Sequence, residues 1–282
     1  MRLLGIIKIT LRSMLLCGTA LWLLPVQSQA RKPQPHSRSA RIAGEYYEGD
    51  GLGFSIMLKI DPKGAFTVEG ATDTLPFTFL SASGSYLIRG GTLELTASKV
   101  DVDKSHLWER YSKLNLVSWG ERIYLIPNSR LLAFCNDINL GDEPRNTVHG
   151  DFLLKEDDDK KPINYLPTLP GKWNSYLLKK PIKCSVTKVT STEKQGIGPS
   201  GFPGGKIVEI VMNAGKSAGL LPGMVVIVRN SETYQKEHQW RDTYVKVRKV
   251  TKGSSIAEFT CFAEMLPVEV GAMASTHKLP DK

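Results

Sequence analysis

One recurring unit constrains this chain more than anything else in it. A short run rich in apolar, β-branched and aromatic residues is followed by a tight turn, and then by another such run. Residues 54–60 and 65–69 flank Asp61-Pro62-Lys63-Gly64. Proline presets φ at the second turn position and glycine suits the last, so this is a hairpin with a physical cause. Residues 85–89 and 92–96 flank Gly90-Gly91, and residues 113–118 and 122–126 flank Trp119-Gly120-Glu121. Both read as further hairpins. Residues 131–135 and 150–154 read as strands too, and only 104–111 suggests a short helix. Strands this short must bury one face against something, so the meander closes into a barrel or packs on itself.

A charged stretch at 156–161, followed by Pro162, Pro167 and Pro170, interrupts the pattern. The acidic run 156–159 is expected to be a solvated loop. Residues 172–178 suggest a short helix or strand within a Pro-rich linker. The β pattern then restarts at 183–190, 207–213, 224–229, 243–250 and 255–262. Val245 and Val247 alternate with Tyr244, Lys246 and Arg248, which is the period of a strand with a cationic outer face. Five or six strands in this length suggest a small barrel. The expected fold is therefore all-β. An N-terminal antiparallel barrel over 42–160 is joined by a linker over 161–181 to a small C-terminal barrel over 182–282.

The first 30 residues carry a different pattern. Arg2, Lys8 and Arg12 precede an apolar run over 14–26, and Gln27-Ser28-Gln29-Ala30 follows Pro25. This is the layout of a cleavable signal peptide with cleavage near Ala30. The run is shorter than the roughly 20 apolar residues of a membrane span. Export to the periplasm or the exterior is the expectation. Residues 31–41 are basic and rich in Pro and Ser, which suggests a disordered tether.

The net charge of +9 conceals an asymmetry. Residues 42–165 hold 13 Lys and Arg against 19 Asp and Glu, whereas 166–282 hold 17 against 9. The first half is acidic and the second basic, so the second half is the one suited to an anionic partner. Beyond the leader, three cysteines remain: Cys135, Cys184 and Cys261. An oxidising compartment permits one bridge among them. Cys184 with Cys261 is the expected pair, leaving Cys135 as a buried thiol.

The first half resembles the lipocalin-like META and NlpE-type domains of bacterial envelope proteins. Gly44, Tyr46, Gly51, Gly53, Leu58, Asp61, Gly64, Phe66, Gly84, Tyr86, Gly91, Leu93 and Leu95 carry the likeness. The cysteine pair of the NlpE type is missing, so a metal-sensing role does not transfer. The second half is similar to the small C-terminal barrel of flagellar assembly protein T. The likeness rests on Asn213-Ala214-Gly215, Gly219-Leu220, Pro222-Gly223-Met224, the strand after it, and Val268, Gly271 and Ala274-Ser275-Thr276. That resemblance implies a structural or interaction module without catalytic residues. The stretch 215–224 also resembles a PDZ loop, with Met224 in place of the usual Asp.

Enzyme motifs are sparse. Gly215-Lys216-Ser217 lacks the phosphate-loop glycine, because Ile210 occupies that place, and Gly205-Lys206 is preceded by Ser200 and followed by Ile207. No nucleotide, metal or other cofactor is expected. Cys135 with His149 is the only candidate for nucleophilic catalysis, since a thiolate needs a base or cation beside it. The plainer reading is a buried cysteine and a loop histidine. The stronger candidate is a surface made of Trp240, Arg241, Tyr244, Lys246 and Arg248, with Tyr234, His238, Lys249 and Lys252 nearby. Aromatic faces among cations suit glycans, anionic polymers or single-stranded nucleic acid. Export favours an anionic envelope polymer, a lipid headgroup or a protein partner. The expectation is a non-enzymatic binding or scaffolding protein of the cell envelope. A carrier of an apolar ligand in the first barrel and a Cys135/His149 hydrolase are the rivals.

Overall fold

The computed structural model describes residues 36–49, 53, 55–72, 75–101, 105–144, 152–193, 205–239, 241–261 and 267–280. The export signal and the start of the tether lie outside these residues, as do His149 and Trp240. Residues 36–282 form one compact unit containing two closed antiparallel barrels.

The first barrel is an up-and-down meander of eight strands. They are β1 (Gly44–Gly49), β2 (Ser55–Ile60), β3 (Ala65–Thr72), β4 (Leu75–Arg89), β5 (Thr92–Asp101), β6 (Lys113–Trp119), β7 (Arg122–Pro127) and β8 (Leu153–Lys155). Each pairs with the next, and β8 returns to β1 through Tyr47 opposite Leu154. The hairpins fall where the turn residues place them. Alternate residues face inward, so Ile56, Leu58 and Ile60 meet Phe66, Val68, Leu93 and Leu125 in the interior. Helix α2 (Ser105–Tyr111) lies between β5 and β6, with Trp108 stacked on Phe66 at 5.8 Å between centroids. Tyr111 is fully buried and donates to the buried Glu48 carboxylate at 3.1 Å, which also binds Arg110 at 2.8 Å. All eight strands thus contribute buried apolar side chains to one interior cluster.

Four expectations change. Residues 36–41 are not a free tether: helix α1 (His36–Ile42) precedes β1, with Ile42 buried and its carbonyl bound by the Tyr46 hydroxyl at 2.8 Å. Residues 131–135 are not a strand but the start of helix α3 (Leu131–Leu140). Leu131, Phe134, Cys135 and Ile138 recur at helical spacing against the outer face of β7, a contact that no local signal announces. The helix ends at Gly141, whose φ of +83° is open to glycine, and a Cβ there would collide with the His277 ring. The acidic run is not simply solvated. Asp158 is fully buried, accepts from the Ile123 N–H at 2.7 Å and pairs with Lys161 at 2.5 Å.

The fourth change concerns the bridge. The second barrel comprises β9 (Lys183–Glu193), β10 (Lys206–Met212), β11 (Val225–Arg229), β12 (Asp242–Val250), β13 (Ser255–Cys261) and β14 (Met273–Ser275), in the order β10-β13-β12-β11-β14-β9. Cys261 pairs with Lys206, and Lys206 pairs with Glu193 at the far end of β9. Cys184 sits at the opposite end of β9, beside Ala274. The two are separated by nine residues of strand, on the order of 30 Å, far beyond the roughly 7 Å that a disulfide spans. Cys135, Cys184 and Cys261 form no disulfide with one another.

Helix α3 joins the barrels. Its Asn136 amide donates to the Gly223 carbonyl at 3.2 Å and accepts from the Val225 N–H at 3.1 Å. Asn139 donates to the Tyr176 carbonyl at 2.7 Å and accepts from Leu178 N–H at 2.9 Å. The predicted linker is a packed layer, with a 3-10 turn over Gly171–Tyr176 whose Tyr176 hydroxyl donates to the Pro222 carbonyl.

Candidate functional site

The surface predicted from sequence lies on β12, where the period-two reading is accurate. Val245 and Val247 are in the core, while Tyr244, Lys246 and Arg248 face outward. A short helix, α4 (Glu232–His238), connects β11 to β12, and Ser231 caps it by accepting from Tyr234 N–H at 3.3 Å. Such a cap satisfies one of the unpaired donors of a first turn.

Arg229 organises this end of the barrel. It stands opposite Asp242 in the ladder and binds that carboxylate through Nε at 2.7 Å and Nη2 at 2.8 Å. It also donates to the Pro280 carbonyl at 2.7 Å and the Leu279 carbonyl at 3.1 Å. A two-pronged arginine–carboxylate pair is geometrically rigid. It therefore fixes the C-terminal segment across the outer face of β11, which explains why the outward-pointing Ile227 is only 2% exposed.

Two concavities flank Arg229. One, of about 690 Å³, lies between α4 and the start of β14, and Lys236, Arg241, Arg229, Glu232 and Met273 line it. The other, of about 560 Å³, is a groove lined by Tyr244 and the segment 277–280, with Asp242 and Arg229 also in its lining. Comparison with protein-family models, curated proteins and solved structures finds no match. What the site can do is therefore argued from its own chemistry.

The structure divides the predicted patch. Arg241 belongs to the first cavity and Tyr244 to the groove. Lys246 and Arg248 lie further along the strand beside Glu258, which faces Lys246 across the ladder and pairs with Arg248 at 3.1 Å. Glu209 stands opposite Glu258 on β10. The cationic stripe is thus partly neutralised in mid-strand, and the cations that line a concavity are Lys236, Arg241 and the Asp242-paired Arg229, with Glu232 among them. Arg229, Asp242, Lys236, His277 and Lys278 were not singled out from sequence, because the register of β11 on β12 and the return of the C-terminus leave no local mark. Lys278 pairs with Asp142, whose hydrogen bond raises the ammonium pKa.

Cys135 is fully buried on α3, and its sulfur lies 3.8 Å from the Trp173 carbonyl. Burial pushes its thiol up to about 12, the opposite of what a nucleophilic thiolate requires. Its proposed partner, His149, is outside the described residues. Among the described residues no group of three or more His, Cys, Asp and Glu stands where it would hold a metal.

Proposed function

We propose that the chain is an exported, non-enzymatic binding or scaffolding protein of the bacterial cell envelope, and that its second barrel carries the contact surface. The observation that carries this reading is the cavity of about 690 Å³ in which Arg229, Lys236 and Arg241 converge. Pockets of this size suit a ligand or an anchoring group, and three cations against the lining Glu232 and the Asp242 bound to Arg229 leave a net positive concavity that favours an anionic one. The leader pattern supports export, and the basic balance of residues 166–282 agrees with the sign of the cavity. The first barrel, lipocalin-like in its meander, serves as a packed scaffold. The large inward side chains of that barrel weigh against a carrier, and the raised Cys135 thiol weighs against a hydrolase.

The test is co-sedimentation of the purified chain with cell-wall sacculi and with anionic vesicles at low and physiological salt. The chain is expected to sediment with one of them, salt-sensitively, and the double variant K236E/R241E to lose most of that retention. Sedimentation no greater than that of an inert protein of equal isoelectric point would refute the proposal.

A further inference from the structure

We infer that the groove between Tyr244 and the C-terminal segment is a saccharide subsite, and that a linear acidic glycan runs from it past Arg229 into the neighbouring cationic cavity. This rests on the binding role proposed above and names the class of ligand. Tyr244 is 53% exposed on the outer face of the barrel. Among the described residues its hydroxyl makes no hydrogen bond and its ring no ring contact. An aromatic face standing in a groove offers an apolar platform with a polar tip. A pyranose is the ligand that uses both, since its C–H face needs an apolar partner while its hydroxyls need donors and acceptors.

The groove supplies the second requirement. Asp242 is held by two bonds from Arg229, so its carboxylate is fixed in direction and keeps lone pairs for further donors. His277 and Lys278 also line it, with the His277 ring held by the Asn139 carbonyl at 3.0 Å and the Lys278 ammonium by Asp142. Arg229 lines both concavities, so the groove and the cavity are adjacent stations along one surface. In the cavity, Lys236 has no partner among the described residues and Arg241 stands near it. A chain with its sugar face on Tyr244 therefore carries its acidic groups towards those cations. A polyanion without rings has no use for the Tyr244 platform. A lipid would need an apolar trough, and the apolar Ile227 beside Tyr244 is covered.

Titration calorimetry on the full chain with galacturonate oligomers, neutral N-acetylglucosamine oligomers and inorganic polyphosphate tests this. Galacturonate oligomers are expected to bind, and Y244A to weaken them by about tenfold or more, the size of one lost ring-stacking contact. Y244F keeps the platform and retains most of the affinity. Polyphosphate binding, through cations alone, is unmoved by Y244A. The subsite is overturned if Y244A leaves galacturonate binding unchanged, if it weakens polyphosphate equally, or if no saccharide binds. Retention on sacculi that survives Y244A sinks the subsite and leaves the binding role standing. Absence of all retention sinks the role itself. Tyr244 is exposed, so an unchanged melting temperature confirms that the variant is folded.

Discussion

Asn136 tests whether α3 couples the two barrels. Strand β14 pairs with β11 only from Ile227 onward, so the first residues of β11 extend past the end of their neighbour. Gly223 C=O and Val225 N–H would form an unpaired edge there, and the Asn136 amide takes the place of the missing peptide group. Its side chain is buried, with only 7% of the residue exposed. N136A removes two hydrogen bonds, each worth about 0.5–1.5 kcal/mol net, and leaves two backbone groups poorly solvated. A loss of about 2–3 kcal/mol follows. Because the contact bridges the barrels, the loss should also divide one unfolding transition into two. N136D separates the contributions. At neutral pH its carboxylate still accepts from Val225 N–H but repels the Gly223 carbonyl, so it should be worse than alanine. It should recover as acid protonates it and restores a donor. Calorimetry and urea melts followed by Trp fluorescence provide the measurement. A change in N136A below about 0.5 kcal/mol with undiminished cooperativity would refute the coupling argument.

Three further outcomes are expected. F134A removes the ring that contacts Trp119, Tyr124 and Phe152 at 5.2–6.2 Å, so chemical denaturation should report a loss of about 3–5 kcal/mol. G215A places a Cβ 2.5 Å from the Thr251 carbonyl oxygen and 2.6 Å from the Ser254 nitrogen. Those are backbone atoms that cannot step aside, so a melt should show the second barrel destabilised by about 1–3 kcal/mol. Cys135 should resist alkylation at pH 8 in the native state and react once unfolded. Its folded pKa of about 12 lies above the ordinary 9.0, so its contribution to stability is complete below pH 9 and is lost as pH rises towards about 12. The slope approaches about 1.4 kcal/mol per pH unit. C135A should flatten the stability curve in that window, and an unchanged curve would contradict the burial.

Much of the fold was legible because its determinants are local. Asp61-Pro62-Lys63-Gly64 and Gly90-Gly91 fix hairpins through φ alone, and the Val245/Val247 alternation fixes which face of β12 is wet. What was not legible depends on partners distant in sequence. Residues 131–135 are apolar enough for a strand. Only the second buried face of β7, where Tyr124 and Ile126 need a cover, selects a helix there. Asp158 looks like one more acid in a charged run until the Ile123 N–H is placed beside it.

The candidate site follows the same division, and this decides where a search for function should begin. Sequence identified the residues of one strand, because Tyr244, Lys246 and Arg248 share a face at a spacing that can be counted. A binding site, however, is built across strands, and its members are chosen by register. Asp242 matters because it faces Arg229, and Arg229 matters because the C-terminal segment returns to lie on it. The cross-strand neighbours also disqualify part of the stripe, since Glu258 shares the charge of Lys246 and Arg248. An exposed pair of that kind contributes about 0–1 kcal/mol and presents little field to a ligand. Reversing Lys246 and Arg248 should therefore disturb binding less than reversing Lys236 and Arg241, although both pairs carry the same formal charge. The opposite order would mean that the strand face, and not the concavity beside Arg229, is where the anion sits.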